Sequence, residues 1–141
     1  MRFVVLVLAI SLFSSAAQAC SCVKRTAVQQ FRDARTVVVG LVLETRYVRD
    51  DQVLGGGYVR ATVDVRETLK GDATHRIEVI DQLPEGGMCS SFLRAGGEFV
   101  LFVDARQEVG MCSGTRPLQA TVYDRPEKLK ELQELKLKAL R

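Results

Sequence analysis

From residue 36 onward, apolar runs alternate with clusters of turn formers. Thr36-Val37-Val38-Val39-Gly40-Leu41-Val42-Leu43 is β-branched and apolar with no polar face at helix period, which predicts a buried strand. Gly40 in its middle predicts a bulge or bend of the kind that lets a small sheet curl. Asp50-Asp51 and Gly55-Gly56-Gly57 mark a loop or hairpin turn. Tyr58 to Leu69 then alternates, with Ala61, Val63 and Val65 on one face and Thr62, Asp64 and Arg66 on the other, as a half-buried antiparallel strand does. Lys70-Gly71-Asp72 turns the chain, Ile77, Val79 and Leu83 mark a third strand, and Pro84 to Gly87 ends it.

A loop carrying Met88-Cys89-Ser90-Ser91-Phe92 leads through Gly96-Gly97 into the apolar strand Glu98 to Asp104. Val109 to Leu118 is rich in turn formers, and Ala120 to Tyr123 is a last short strand candidate. Helical spacing occurs at the two ends. Ala27, Phe31 and Ala34 recur at intervals of four and three behind Thr26, a candidate N-cap, so a short helix turns Phe31 inward. Residues 124–141 place Leu129, Leu132, Leu135 and Leu140 on one face, with Pro126 as the first helical residue and Asp124 as its cap. A helix, four or five short strands and a terminal helix favour a small closed or partly closed antiparallel barrel over a sheet of βαβ units.

The first nineteen residues stand apart from this pattern. Arg2 precedes the apolar run Phe3 to Phe13, and small residues follow up to Ala17-Gln18-Ala19, as in a cleaved export signal. The run is shorter than the roughly 20 residues that cross a bilayer core, and no later stretch is long and apolar enough to span. The mature domain is then 20–141, secreted or periplasmic, and it opens on Cys20-Ser21-Cys22. All four cysteines (20, 22, 89 and 112) lie in it. In an oxidising compartment that argues for two disulfides rather than a metal site. Cys20 with Cys22 would close a tiny strained ring, which leaves open which of the two pairs with Cys89.

The net charge of +3 is mild and both signs are interspersed, so no basic stripe points to nucleic acid. His75 is the sole histidine and falls at a turn, where an exposed structural role is favoured over a catalytic base. The glycines at 55–57 lack the lysine and helix of a phosphate loop. Cys-x-Cys is not the spacing of thiol oxidoreductases. The chain therefore reads as no enzyme and needs no cofactor or metal of its own. A free amine on Cys20 offers a different chemistry. With a reference pKa of about 7.7–8.0, it is partly neutral near neutral pH. Together with the carbonyl oxygen of the same residue, it can chelate a metal that has an open coordination position, as a catalytic zinc has.

Cys20-Ser21-Cys22, Gln29-Gln30-Phe31 with Ala34, the strand Val37 to Val42, Glu67-Thr68-Leu69-Lys70-Gly71, the Cys89 loop, Gly97 to Phe102 and Cys112 together resemble the tissue inhibitors of metalloproteinases and the wider netrin-like domains. The resemblance runs to about Pro117. It implies a five-stranded OB-type barrel with Cys20 bonded to Cys89 and Cys22 to Cys112. It also implies a tip in which Cys20 chelates the zinc of a partner protease, Ser21 enters the specificity pocket, and Gly87 and Met88 add ridge contacts. The chain departs from the inhibitors at Arg32, where a third disulfide begins in them, and at Ser90, where they carry glycine. A Leu-rich helix takes the place of their disulfide-rich second subdomain.

Three expectations compete. The first is a monomeric, secreted inhibitor of a zinc metalloprotease. The second is a non-inhibitory secreted or envelope module that binds another protein, with loop 46–57 either a second contact surface or a plain hairpin. The third is a lipoprotein acylated on Cys20, which Ala17 at the third position before it argues against and which would leave an odd cysteine.

Overall fold

The computed structural model describes residues 22–52, 56–83, 90–118 and 125–139, with side chains of the last helix described from 130 to 138. Thr26 turns the chain into helix α1 (Ala27–Asp33) through a reciprocal cap. Its hydroxyl accepts from the Gln29 N–H at 3.2 Å, and the Gln29 side-chain oxygen accepts from the Thr26 N–H at 2.8 Å. Two of the amides that no helical carbonyl can reach are thereby satisfied. Phe31 is buried, as its spacing predicts. At the other end, Lys70 Nζ donates to the carbonyls of Phe31 (2.9 Å), Arg32 (2.7 Å) and Ala34. A cation on the last carbonyls complements the negative end of the helix dipole.

The sheet has six strands: β1 (Thr36–Arg49), β2 (Gly57–Lys70), β3 (Arg76–Gln82), β4 (Glu98–Val103), β5 (Glu108–Val109) and β6 (Arg116–Pro117), in the order β5-β3-β2-β1-β4-β6. Two expectations are corrected. Among the described residues the strands number six rather than five, and the sheet is not wholly antiparallel, because β5 pairs parallel to β3. The cause is the turn after β4. Asp104 Oδ1 accepts from the amides of Arg106 and Glu108, both at 2.8 Å, and this swings Gln107 to where its carbonyl accepts from the Ile80 N–H at 2.8 Å. β6 pairs with β4, with Pro117 opposite Phe99; an edge position suits a residue that has no N–H to give. The strand expected at 120–123 lies outside the described residues, as do Asp124 and Leu140.

β1 and β2 pair antiparallel along almost their whole length, with register shifts at Val37/Val38, Val39/Gly40 and Val42/Glu44. Bulges of this kind bend a strand and raise its twist, and the sheet curls into a half-barrel. Gly40 allows the bend. A Cβ there would lie closer to Val63 Cγ1 than van der Waals contact allows and 3.1 Å from the Asp64 carbonyl oxygen. β1 runs six residues beyond the apolar run that predicted it, so residues 46–49 are strand rather than loop. Cross-strand hydrogen bonding to β2 holds this polar extension, not burial.

β1 and β4 are covered on both faces, which is why they read as continuous apolar runs rather than as alternation. On one face Val37, Val39, Val100 and Phe102 join Phe31 and the C-terminal helix α2 (Arg125–Ala139) through Leu132 and Leu135. On the other face Val38, Val42, Ala61, Val63, Val79, Phe99 and Leu101 form a second core with Leu93 and Val109. An ion pair of 3.6 Å between Arg116 and Glu131 ties β6 to α2. Among the described residues, no helix is long and apolar enough to cross a membrane.

Candidate functional site

The amino-terminal segment 22–26 is extended and exposed, and it ends at the Thr26 cap. Cys22 is bonded to Cys112 with a Cα–Cα separation of 5.3 Å, across 90 residues of sequence. Of the two disulfides implied by the resemblance, this is the one that the described residues contain. Cys20, Ser21, Gly87, Met88 and Cys89 lie outside them, and with them the Cys20–Cys89 bond and the ridge contacts.

Cys112 sits on a rigid platform. It is the middle residue of a 3₁₀ turn, Met111–Ser113, that ends at Gly114 with φ 104°, a left-handed conformation suited to glycine. The Ser113 hydroxyl closes the turn on the Gly110 carbonyl at 2.7 Å, and Thr115 Oγ1 accepts from the Phe102 N–H of β4 at 3.0 Å. Gln30 of α1 donates to the Cys112 carbonyl at 3.4 Å. Helix, turn and strand thus converge where the amino-terminal segment is bolted down. Beyond the disulfide, that segment is held by an exposed ion pair of 3.3 Å between Arg25 and Asp33.

A cleft of about 410 Å³ opens beside the bond, with Cys22, Val23, Asp33, Phe102 and Cys112 among its walls. Val23 is 78% and Met111 41% exposed. As chain neighbours of the two bonded cysteines they flank the disulfide with unpaired apolar side chains. The arrangement provides an anchored, exposed segment with apolar shoulders. His75, by contrast, is exposed at a turn with φ 56°, and its carbonyl accepts from the Val65 N–H at 2.7 Å. Among the described residues, no three His, Cys, Asp or Glu side chains come together as a metal site.

Asp81 is a buried carboxylate that no sequence motif marks. It lies on the inner face of β3, 1% exposed, and both its carboxylate oxygens accept from the Ser91 N–H at 2.9 Å. Burial pushes its pKa up, and hydrogen bonds from the Ser91, Leu93 and Phe92 backbone and the Ser90 hydroxyl offset part of that rise. The signal was present in the alternation Ile77, Val79, Asp81, which places a carboxylate where the next apolar residue belongs. Asp81 fastens the residues that follow Cys89 to the sheet.

No family model matches this chain, and no curated protein matches it by sequence.

Proposed function

We propose that the chain is an exported domain of the netrin-like type, an OB-type barrel that acts as an inhibitor of a zinc metalloprotease through its amino-terminal tip. The observation that carries this is the Cys22–Cys112 bond, which fixes the start of the mature chain to a platform shared by α1, β4 and the 3₁₀ turn. Removal of residues 1–19 frees the amine of Cys20, two residues ahead of that anchor. The amine and carbonyl of Cys20 chelate the partner's zinc in place of its water, Ser21 enters the adjoining pocket, and Gly87 and Met88 extend the contact. Fixing the tip in advance lowers the entropy lost on binding.

The test compares the mature protein beginning at Cys20 with a version that carries one alanine ahead of it, against a panel of zinc endopeptidases. Inhibition by the first and none by the second supports chelation. Equal inhibition by both removes it. A second reading, a protein-binding module without inhibitory action, draws on exposed Val23 and Met111, whose apolar surface a partner can cover without any metal. Capture of the same partner by both forms, with no zinc endopeptidase inhibited by either, favours that module.

A further inference from the structure

Between α1, the end of β2 and α2 lies a groove of about 440 Å³, a size within the roughly 300–1,000 Å³ of small-molecule sites. Apolar Phe31 of α1 and Leu69 of β2 line it, both from the core that Leu132 and Leu135 of α2 complete. Three cations, Arg32, Lys70 and Lys136, line it as well, and among the described residues no aspartate or glutamate does. The acids nearest in sequence are engaged elsewhere. Asp33 pairs with Arg25 at 3.3 Å, and Asp72 lines a separate cleft with Arg35 and Arg106. The cations differ in what they have left to give. Lys70 donates to the carbonyls of Phe31, Arg32 and Ala34 and lies 5.8 Å from the Phe31 ring centroid, so it adds charge and a methylene stem to the groove. Arg32 and Lys136 make no ion pair or side-chain hydrogen bond among the described residues, which leaves their N–H donors open to a ligand. Each stands in the last turn of its helix, where a cation suits the helix dipole; the dipole does not account for the apolar floor that both border.

We propose that this groove binds a single-chain amphiphile with an anionic head, a long-chain carboxylate, with its tail over Phe31 and Leu69 and its head between Arg32 and Lys136. A purely apolar ligand would leave the two open donors unused, and a compact anion would leave the apolar floor wet. A ligand with both parts satisfies both. The Arg32 guanidinium presents paired N–H groups that match a carboxylate, and the Lys136 ammonium adds a point charge. Lys70 contributes a third positive charge without competing for the head, because its hydrogens already lie on carbonyls. Burial of the tail supplies most of the affinity, since charge pairs open to water add little. The groove shares no lining residue with the cleft beside Cys22 and Cys112. The site is therefore independent of what the tip binds and goes beyond the proposed inhibitory role.

The experiment is an NMR titration of amide shifts in the mature protein with hexanoate, octanoate and decanoate, set against acetate and decyltrimethylammonium. Saturable shifts should centre on the Phe31, Leu69, Gly71 and Lys136 amides, and binding should tighten with chain length by up to about fourfold for each methylene buried. Acetate should shift none of them, and decyltrimethylammonium should bind at least about tenfold more weakly than decanoate. Arg32→Gln/Lys136→Gln, checked for an unchanged melting temperature, should weaken decanoate by about tenfold or more and leave decyltrimethylammonium no weaker. Shifts that do not saturate or that centre elsewhere, affinity independent of chain length, equal binding of the two decyl chains, or undiminished decanoate binding by the folded variant each overturns the proposal. Should the double variant not fold, the two decyl chains on wild type decide: preference for decanoate at the named amides supports the site, and no preference overturns it.

Discussion

Asp81 and Ser91 meet through a single amide, the Ser91 N–H bisecting both carboxylate oxygens at 2.9 Å, and among the described residues no cation pairs with the carboxylate. A salt-bridged carboxylate lies below its ordinary pKa and stabilises the fold above it; Asp81 is the reverse case. Because its folded value is raised, the native state binds more protons than the unfolded state between 3.8 and that value, and stability falls as pH rises through this window. Urea unfolding of wild type and Asp81→Asn in steps from about pH 4 to 7 isolates the effect. The stability of wild type relative to the variant should decline across the window and then level off. Asp81→Ala, which strips the acceptors from buried amides, should lose about 1–3 kcal/mol.

Gly40 and Val63 approach across the β1–β2 pair more closely than a Cβ at residue 40 would allow. Gly40→Ala brings a methyl group into Val63 Cγ1 and against the Asp64 backbone, which has no flexible end to withdraw. Overpacking of this kind costs about 1–3 kcal/mol. In a Val63→Ala background the added methyl finds the space vacated, so the two changes should be non-additive. The double variant should be more stable than the sum of the single losses by about 0.5 kcal/mol or more, measured by urea unfolding.

Much of the fold was legible because local pattern and final environment agree. Thr26, Gln29 and Phe31 form a cap and a buried contact within one short helix. Ala61 and Val63 alternate against solvent-side neighbours, and Val37 to Val42 is apolar because both faces are covered. What escaped is set by partners distant in sequence. β5 and β6 are two residues each and exist through pairing with β3 and β4. Glu44 to Arg49 is strand because β2 lies alongside it. Asp81 is a polar residue in an apolar register, and its partner Ser91 lies ten residues on. At the candidate site, spacing alone left the cysteine pairing open, and Cys22–Cys112 followed from the resemblance.

Lys70 occupies the C-terminal end of α1 from a position 36 to 39 residues away in sequence, with its ammonium on three carbonyls and 5.8 Å from the Phe31 ring centroid. Lys70→Met keeps most of the apolar stem and removes the donor. The loss should be about 1–3 kcal/mol, since the bonds are charge-assisted and those to Phe31 and Ala34 are partly buried. Lys70→Arg should lose less but not nothing, because a planar fork cannot point three hydrogens at one helix end as an ammonium does. Thermal unfolding followed by circular dichroism reads both.

Cys22 and Cys112, 90 residues apart in sequence, close the helix α1 and the strands β1 to β5 into one loop. Replacing both with serine should destabilise the domain by about 2–5 kcal/mol. The structural consequence should be concentrated at residues 22–25, because among the described residues their side-chain tie past the disulfide is the exposed Arg25–Asp33 pair, and a surface pair of that kind contributes roughly 0–1 kcal/mol. Exchange protection should fall in this segment and the 3₁₀ turn while β1 to β4 keep theirs. If the tip is the working surface, the variant should bind its partner about 100-fold or more weakly at temperatures where it remains folded, a loss of about 2.8 kcal/mol that comes from ordering the segment anew on binding. Undiminished binding by a folded Cys22→Ser/Cys112→Ser protein would place the working surface elsewhere on the domain, and the amino-terminal tip would then be a staple alone.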